Sequence, residues 1–327
     1  MRFTVGRKRV AGKTNGTKRG DMKKLFIPIP PRGKGGGSTF IAYLLPALRN
    51  NVTFDISDDW DTALMIGAEI SVEDIESKVI PRKENGAKII YRLDGIKHTR
   101  MPDGMERMKA MWDIADLVIF QSKFVQLEAE NLWGIHNNSR VIYNGVDVSM
   151  FKPQLADDWP KRPYDFLYCE YSQKPHKKAQ EAFGLMKKVI EKYPTATLTI
   201  MGKYPTEWIK QSFGLPQENV KYLGRQHHNM MPLIISSHKA LLFPSENEPC
   251  SNLVLEAMAS ELLVIHKDSG CMPELCGDTQ IKWTGDLTPI YPLYRHMPDY
   301  HSGRVRVHKY FTKELMVKNY LEALELL

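Results

Sequence analysis

Cysteine is scarce in this chain: four in 327 residues, at Cys169, Cys250, Cys271 and Cys276, with no Cys-x-x-Cys pair among them. No histidine stands at zinc-ligand spacing from them either, so neither a zinc module nor a disulfide framework is indicated. Long apolar runs are missing too. None reaches the roughly 18 residues that a membrane-spanning helix needs. The N-terminus shows no apolar leader core, so the expected location is cytoplasmic, with peripheral membrane attachment as the variant. Acid is absent from the first 20 residues, which hold Arg2, Arg7, Lys8, Arg9, Lys13, Lys18 and Arg19. These seven charges equal the whole net charge of +7, so the remainder of the chain is neutral. A Gly/Thr/Lys/Arg segment with little to bury is expected to be a disordered tail. It is a candidate for contact with an acidic surface, nucleic acid or membrane.

What remains has the composition of a globular protein, 43% hydrophobic and 25% charged, and a length that suits two domains of about 150 residues. Short β-branched runs at 24–28, 52–55, 63–66, 89–93, 117–121 and 141–143 do not alternate in polarity. That is the pattern of parallel strands covered on both faces. Helical stretches at 38–48, 105–112 and 123–132 separate several of them. A Pro/Asp/Lys-rich break at 151–162 follows, and the rhythm restarts with strands at 166–169, 197–201, 220–223, 240–243 and 262–265. Helices are expected at 178–192, 252–260 and from 312 to the end. The expected fold is α/β: a tail (1–20), an N-terminal Rossmann-like half (21–157) and a C-terminal one (158–327), with a ligand in the cleft between the halves.

The chemistry concentrates in residues 243–265, FPSENEPCSNLVLEAMASELLVI. A strand ends at Pro244-Ser245, a loop crosses Glu248, and Ser251-Asn252 begin a helix by capping it. The free amides of that first turn, through Leu253, suit a diphosphate. Glu248 and Glu256 bracket the helix start, placed so that one can reach a sugar and the other a ribose hydroxyl. Two glutamates at this spacing beside a capped helix are also compatible with ordinary solvated side chains.

The whole stretch resembles the nucleotide-recognition motif of the retaining GT-B glycosyltransferases, family 4 (group 1) in particular. In that family a Pro-Ser-ending strand is followed by Glu, seven residues and Glu-Ala-Met-Ala, as here at Glu248 and Glu256-Ala257-Met258-Ala259. Other segments agree in order. Pro30-Pro31 with Gly35-Gly36-Gly37 looks like the N-domain glycine loop, where a missing Cβ lets backbone approach a phosphate or sugar. Residues 115–122 and 141–153 resemble the end of the N-domain and the entry to the linker. The run HKKAQEAFGLMKKVIEKYP puts Lys177 on the family's phosphate-binding lysine. Asp268-Ser269-Gly270-Cys271-Met272-Pro273-Glu274 resembles the loop that holds donor sugar and diphosphate. The likeness spans roughly 24–327.

The departures are specific. Ser172 stands where the family has an arginine, and Lys174 is the nearby cation that could serve in its place, without the bidentate fork. Glu261 replaces a glycine after the helix. Cys271 replaces the second glycine of the donor loop and is expected to narrow the sugar's room. The resemblance implies a retaining hexosyl transfer from a UDP- or GDP-sugar to a hydroxyl acceptor (saccharide, lipid or protein), with no metal or other cofactor. Lys177 and Glu248 would be catalytic. Glu256, Gly36, Gly37, Lys174, Ser251, Asn252, Leu253 and Gly270 would bind donor. Asp94 and His98, in YRLDGIKH at the end of a strand, are the acceptor-side candidates. The alternative is a weakly active or inactive member that binds sugar nucleotide or a partner, its tail on nucleic acid or membrane. Gly12-Lys13-Thr14 lacks the first glycine of a phosphate loop. Asp59-Trp60-Asp61 has metal-site spacing, but in an unremarkable acidic loop. A glycosidase built on Glu248 and Glu256 would leave the helix start and Lys177 without a role.

Overall fold

The computed structural model describes residues 24–31, 36–48, 51–96, 103–154, 161–170, 175–202, 206–290, 293–294 and 299–325. The first half runs β1 (Leu25–Phe26), α1 (Gly36–Leu44), β2 (Val52–Thr53) and β3 (Thr62–Ile66). Next, α2 (Val72–Asp74) passes through a π-turn into α3 (Ile80–Glu84). The half continues with β4 (Lys88–Leu93), α4 (Gly104–Ile114), β5 (Leu117–Phe120), α5 (Lys123–Trp133) and β6 (Ser139–Val141). All strand pairs are parallel, in the order β2-β1-β3-β4-β5-β6. Every residue of β3 and β5 is buried, which is why these runs carry no polar alternation: helices cover both faces.

The second half contains β7 (Tyr164–Glu170), α6 (Ala179–Lys192), β8 (Leu198–Gly202), α7 (Thr206–Phe213), β9 (Val220–Gly224) and α8 (Met231–Ser236). Then come β10 (His238–Phe243), α9 (Asn252–Ala259), β11 (Leu263–His266), α10 (Met272–Cys276), β12 (Ile281–Lys282), α11 (His301–Tyr310) and α12 (Lys313–Glu325). Its strands are again parallel, ordered β12-β11-β10-β7-β8-β9. The order reverses between β7 and β10, and in the first half between β1 and β3. Ligands of such sheets bind beyond the carboxyl ends of the strands at these reversals. The expected α/β fold of two doubly wound halves is therefore the observed one. Among the elements not foreseen are β12 and α11. Of α11, only Gly303 and Val307 are buried, too few to give a helical apolar stripe.

The two halves are joined by two paired crossings. Val146 and Thr312 form a parallel bridge, Val146 N donates to the Phe311 carbonyl, and Lys313 N donates to that of Val146, both at 2.9 Å. A Cβ on Gly145 would lie 2.6 Å from the Lys313 Cα, so only glycine lets the two strands of the crossing meet. Beyond it, α12 returns to the first sheet. Met316, Tyr320 and Ala323 share a core with Leu25, Ile27, Phe40 and Leu64, although chain order alone groups this helix with the second half.

Candidate functional site at the sheet reversal

Lys177 closes a short 3₁₀ turn, Pro175–Lys177, between β7 and α6, and Glu248 lies in the loop after β10. The two loops meet at the reversal. Glu246 N donates to the His176 carbonyl at 2.9 Å, and Lys177 Nζ donates to Glu248 Oε1 at 2.6 Å. Glu248 is buried, with His176 Nε2 at 3.8 Å as a second neighbour. Lys178, next in the chain, is held left-handed at φ 51° and pairs with Glu246 at 3.2 Å. Lys267 pairs with both Glu246 and Glu181 at 2.7 Å. This lysine cage holds the Glu246 carboxyl below the usual range through its bond from Lys267. The two residues expected to be catalytic thus share one ion pair, and each is fixed by its loop.

Past Glu248 the chain enters α9. Ser251 is its cap: the hydroxyl accepts from Val254 N at 3.4 Å, leaving Asn252 and Leu253 as the first-turn amides with no intrahelical acceptor. The start of α1 faces the start of α9, since a Cβ built on Gly36 would sit 3.5 Å from Asn252 Nδ2. Among the described residues outside its own helix turn, nothing lies within 4 Å of a Cβ built on Gly37. Two positive helix ends, one from each half, therefore converge.

Gly270 is required by the protein's own packing. Its φ is +63° and a Cβ there would meet Glu248 N at 2.5 Å. Cys271 N donates to the Glu248 carbonyl at 2.9 Å, and Asn247 N donates to Ser269 Oγ at 3.0 Å. The 268–271 loop is thus built against the backbone of Glu248. The expectation for Cys271 is corrected. Its side chain is fully buried in the core beneath α9 with Val254, Leu255 and Leu275, so it does not narrow the cleft, and burial pushes its thiol pKa well up. Glu261 sits at φ 57°, the left-handed position that explains why glycine is usual there, and its carboxylate meets His301 Nδ1 at 2.9 Å.

Glu256 is buried on α9, and its Oε1 lies 3.0 Å from His228 Nε2. Burial raises the carboxyl pKa while the histidine bond opposes the rise. In return the bond raises the His228 pKa against its own partial burial. The His228 ring is tilted against Phe151 at 5.5 Å. His227-His228 have no role legible in the sequence, because nothing local to the turn at 228–230 marks the partner of His228, 28 residues on.

Asp94, at the end of β4, has partners already. Arg92 Nη1 and Gln121 Nε2 both donate to its Oδ1. Arg92 is buried, its guanidinium 4.3 Å over the Phe40 ring, and it donates to Asn144 Oδ1 at 3.0 Å. Asn144 Nδ2 in turn lies 2.9 Å from Asn252 Oδ1 and 3.0 Å from the Cys250 carbonyl. A polar chain therefore runs from Asp94 to the first residue of α9. Its middle members, Arg92, Gln121 and Asn144, lay unnoticed because each is an isolated polar residue at a strand end. His98, Lys174 and Ser172, with the tail 1–20, lie outside the described residues. Asp59 and Asp61 precede β3, at the amino edge of the sheet, with Arg82 bound to Asp59 at 3.2 Å.

Two parallel α/β halves with their helix starts facing a shared cleft define the GT-B architecture. Residues 167–294, which hold Lys177, Glu248, Glu256 and Gly270, match the family model described as glycosyl transferases group 1. Over these residues the second half is similar to the group 1 glycosyl transferases, and the chain as a whole has the GT-B fold. Among solved structures, Anabaena Alr3699/HepE in complex with UDP and glucose superposes with a TM-score of 0.72 at 16% identity, covering 93% of this chain and 100% of that one. AviGT4, a glycosyltransferase involved in avilamycin A biosynthesis, does so at 0.63 and 17%, covering 93% and 97%. Sulfoquinovosyl transferase SQD2 of Arabidopsis thaliana is 26% identical over 58% of this chain and 40% of its own length. Phosphatidyl-myo-inositol mannosyltransferase of Mycobacterium tuberculosis is 24% identical over 46% and 40%. The match thus spans about two fifths of the length of these curated relatives. Among the described residues no helix is long and apolar enough to cross a membrane.

Proposed function

We propose that the protein transfers a sugar from a nucleoside diphosphate sugar to a hydroxyl acceptor, with retention of anomeric configuration and without a metal, as a family 4 enzyme. The observation that carries this reading is the Lys177–Glu248 pair at the β7/β10 reversal, set beside the capped start of α9. The donor lies on the second half. Glu248 receives sugar hydroxyls, Glu256 the ribose hydroxyls, and the amides of Asn252 and Leu253 the diphosphate. Gly36 and Gly37 approach the donor from the first half. The acceptor comes from the side of Asp94 and His98.

As the bond from C1 to the phosphate oxygen breaks, negative charge grows on the diphosphate. Lys177, aided by Lys174 and the helix starts, stabilises it in a site closed to water. The acceptor oxygen bonds to C1 on the face the diphosphate leaves, and its proton passes to the departing phosphate oxygen, so no protein nucleophile is used. The test is a panel of UDP- and GDP-sugars with candidate acceptors, scored for released nucleotide with and without chelator, and for product anomer by NMR. Release that survives chelation and a retained anomer are expected. Tight donor binding with no release would leave a binding protein, and loss of activity in chelator would remove the metal-free mechanism.

A further inference from the structure

Glu274 lies four residues beyond Gly270, in α10 of the second half, but its side chain is spent entirely on the first half. Oε1 accepts from Phe124 N at 2.7 Å. Oε2 accepts from Lys123 N at 2.8 Å and from the Tyr143 hydroxyl at 2.8 Å. Lys123 and Phe124 are the first two residues of α5, and the third amide, Val125 N, is taken by Ser122 Oγ at 3.2 Å. A carboxylate on a helix start is favoured by bonds and dipole together. Each of these bonds joins positions more than 130 residues apart in the chain. At its other end α10 is held by Arg306, which donates to the carbonyls of Glu274 and Leu275 at 2.8 and 2.7 Å. The short helix is therefore a rigid link. One side is the donor loop, whose Cys271 N is bonded to the Glu248 carbonyl; the other is α5 of the acceptor-side half.

We propose that Glu274 is a positioning residue for transfer, fixing the donor loop against α5 so that donor and acceptor halves meet in one geometry. The role rests on the reading of the site as a sugar-nucleotide transferase. Glutamine at 274 keeps the shape but offers one acceptor oxygen in place of two, and so cannot hold both α5 amides and Tyr143. Aspartate keeps the charge on a shorter arm.

The experiment compares wild type with Glu274→Ala, Glu274→Gln and Glu274→Asp by amide hydrogen exchange at Lys123 and Phe124, with and without UDP, and by steady-state kinetics. In wild type those two amides should be protected, and UDP should slow their exchange further. In Glu274→Ala they should exchange at least about tenfold faster, and UDP should no longer slow them. Misplacing the halves should lower kcat for transfer by about 10- to 100-fold. The donor KM should change little, and a larger share of the donor should be hydrolysed. Glu274→Asp should recover part of kcat and Glu274→Gln less. Wild-type exchange in Glu274→Ala, or a variant that only melts earlier while kcat and the transfer-to-hydrolysis ratio hold, overturns the proposal. Should the wild-type protein turn over no donor, the function reading fails by itself. Exchange at Lys123 and Phe124 in the free protein still decides whether Glu274 couples the halves.

Discussion

Lys177 Nζ and Glu248 Oε1 stand 2.6 Å apart across the two loops that meet where the second sheet reverses its strand order. On the proposed function, the pair holds a cation for the diphosphate and a buried carboxylate for sugar hydroxyls, each orienting the other. Lys177→Ala should therefore reduce kcat/KM by about 10²–10³-fold, the effect of removing one preorganised charge-assisted contact. Lys177→Arg should recover only part of it, since a planar fork does not replace a point charge at this separation. Steady-state kinetics decide: an unchanged rate in Lys177→Ala would place the lysine outside the reaction.

Glu256 and His228 should impose a pH window on the second half. The His228 pKa is raised from 6.5, chiefly by its bond to Glu256. Its contribution to stability is therefore full below the unfolded value and is lost as pH rises through the higher folded one. The Glu256 pKa is raised from 4.5 by burial, and below it the carboxylate that completes the pair is protonated. The stability gap between wild type and His228→Ala should be widest between the raised Glu256 value and the unfolded histidine value of 6.5, and shrink on either side. Because the imidazole is partly exposed, the gap should stay below about 1 kcal/mol. Thermal melts across pH test this, and a gap that grows steadily above neutrality would contradict it. Donor affinity should fall as pH drops through the Glu256 value, because a protonated carboxyl loses acceptor capacity for two ribose hydroxyls.

Cys271→Ala should leave the donor KM where it is and lower Tm. The thiol is in the core beneath α9, so its removal leaves a small cavity at a cost of about 1 kcal/mol. A markedly lower KM would mean that the thiol crowds the sugar after all.

The left-handed positions make an opposed pair. Gly270→Ala forces a Cβ against Glu248 N at φ +63° and should cost more than the roughly 1–2 kcal/mol of left-handed strain alone. Glu261→Gly relaxes a residue already at φ 57°. It should gain a few tenths to about 1 kcal/mol, reduced by the chain entropy of glycine. Chemical denaturation of both variants checks the signs.

The readable part of the molecule was the part whose causes are local. Unalternating runs such as those of β3 and β10 are buried on both faces, and their parallel order follows from the helices between them. Residues 244–259 carry a strand end, a cap and the acids Glu248 and Glu256 within one turn-helix unit, and the structure sets Glu248 in the loop just before the Ser251-capped start of α9, as that spacing implies. Lys177 joins them because β7 and β10 are neighbours. What stayed hidden depends on contacts between remote segments. Glu274 finds its partners in the other half, and Asp94 is engaged by Gln121, 27 residues on, beside its near neighbour Arg92. The direction of the Cys271 side chain is set by how α10 packs beneath α9, which no run of residues around it announces. Helix α11 was missed because it packs through Gly303, where a Cβ would run into Gln280, rather than through an apolar stripe.

The proposed function requires a nucleoside diphosphate to seat on the α9 start with its ribose at Glu256. Calorimetric titration of UDP, GDP and the corresponding monophosphates into wild type and Glu256→Ala, all in chelator, tests it most directly. UDP or GDP should bind wild type in preference to its monophosphate and bind Glu256→Ala at least about tenfold more weakly, the loss of a charge-assisted contact of about 1.5–3 kcal/mol. Failure of both diphosphates to bind the wild-type protein, or equal affinity in Glu256→Ala, would contradict it.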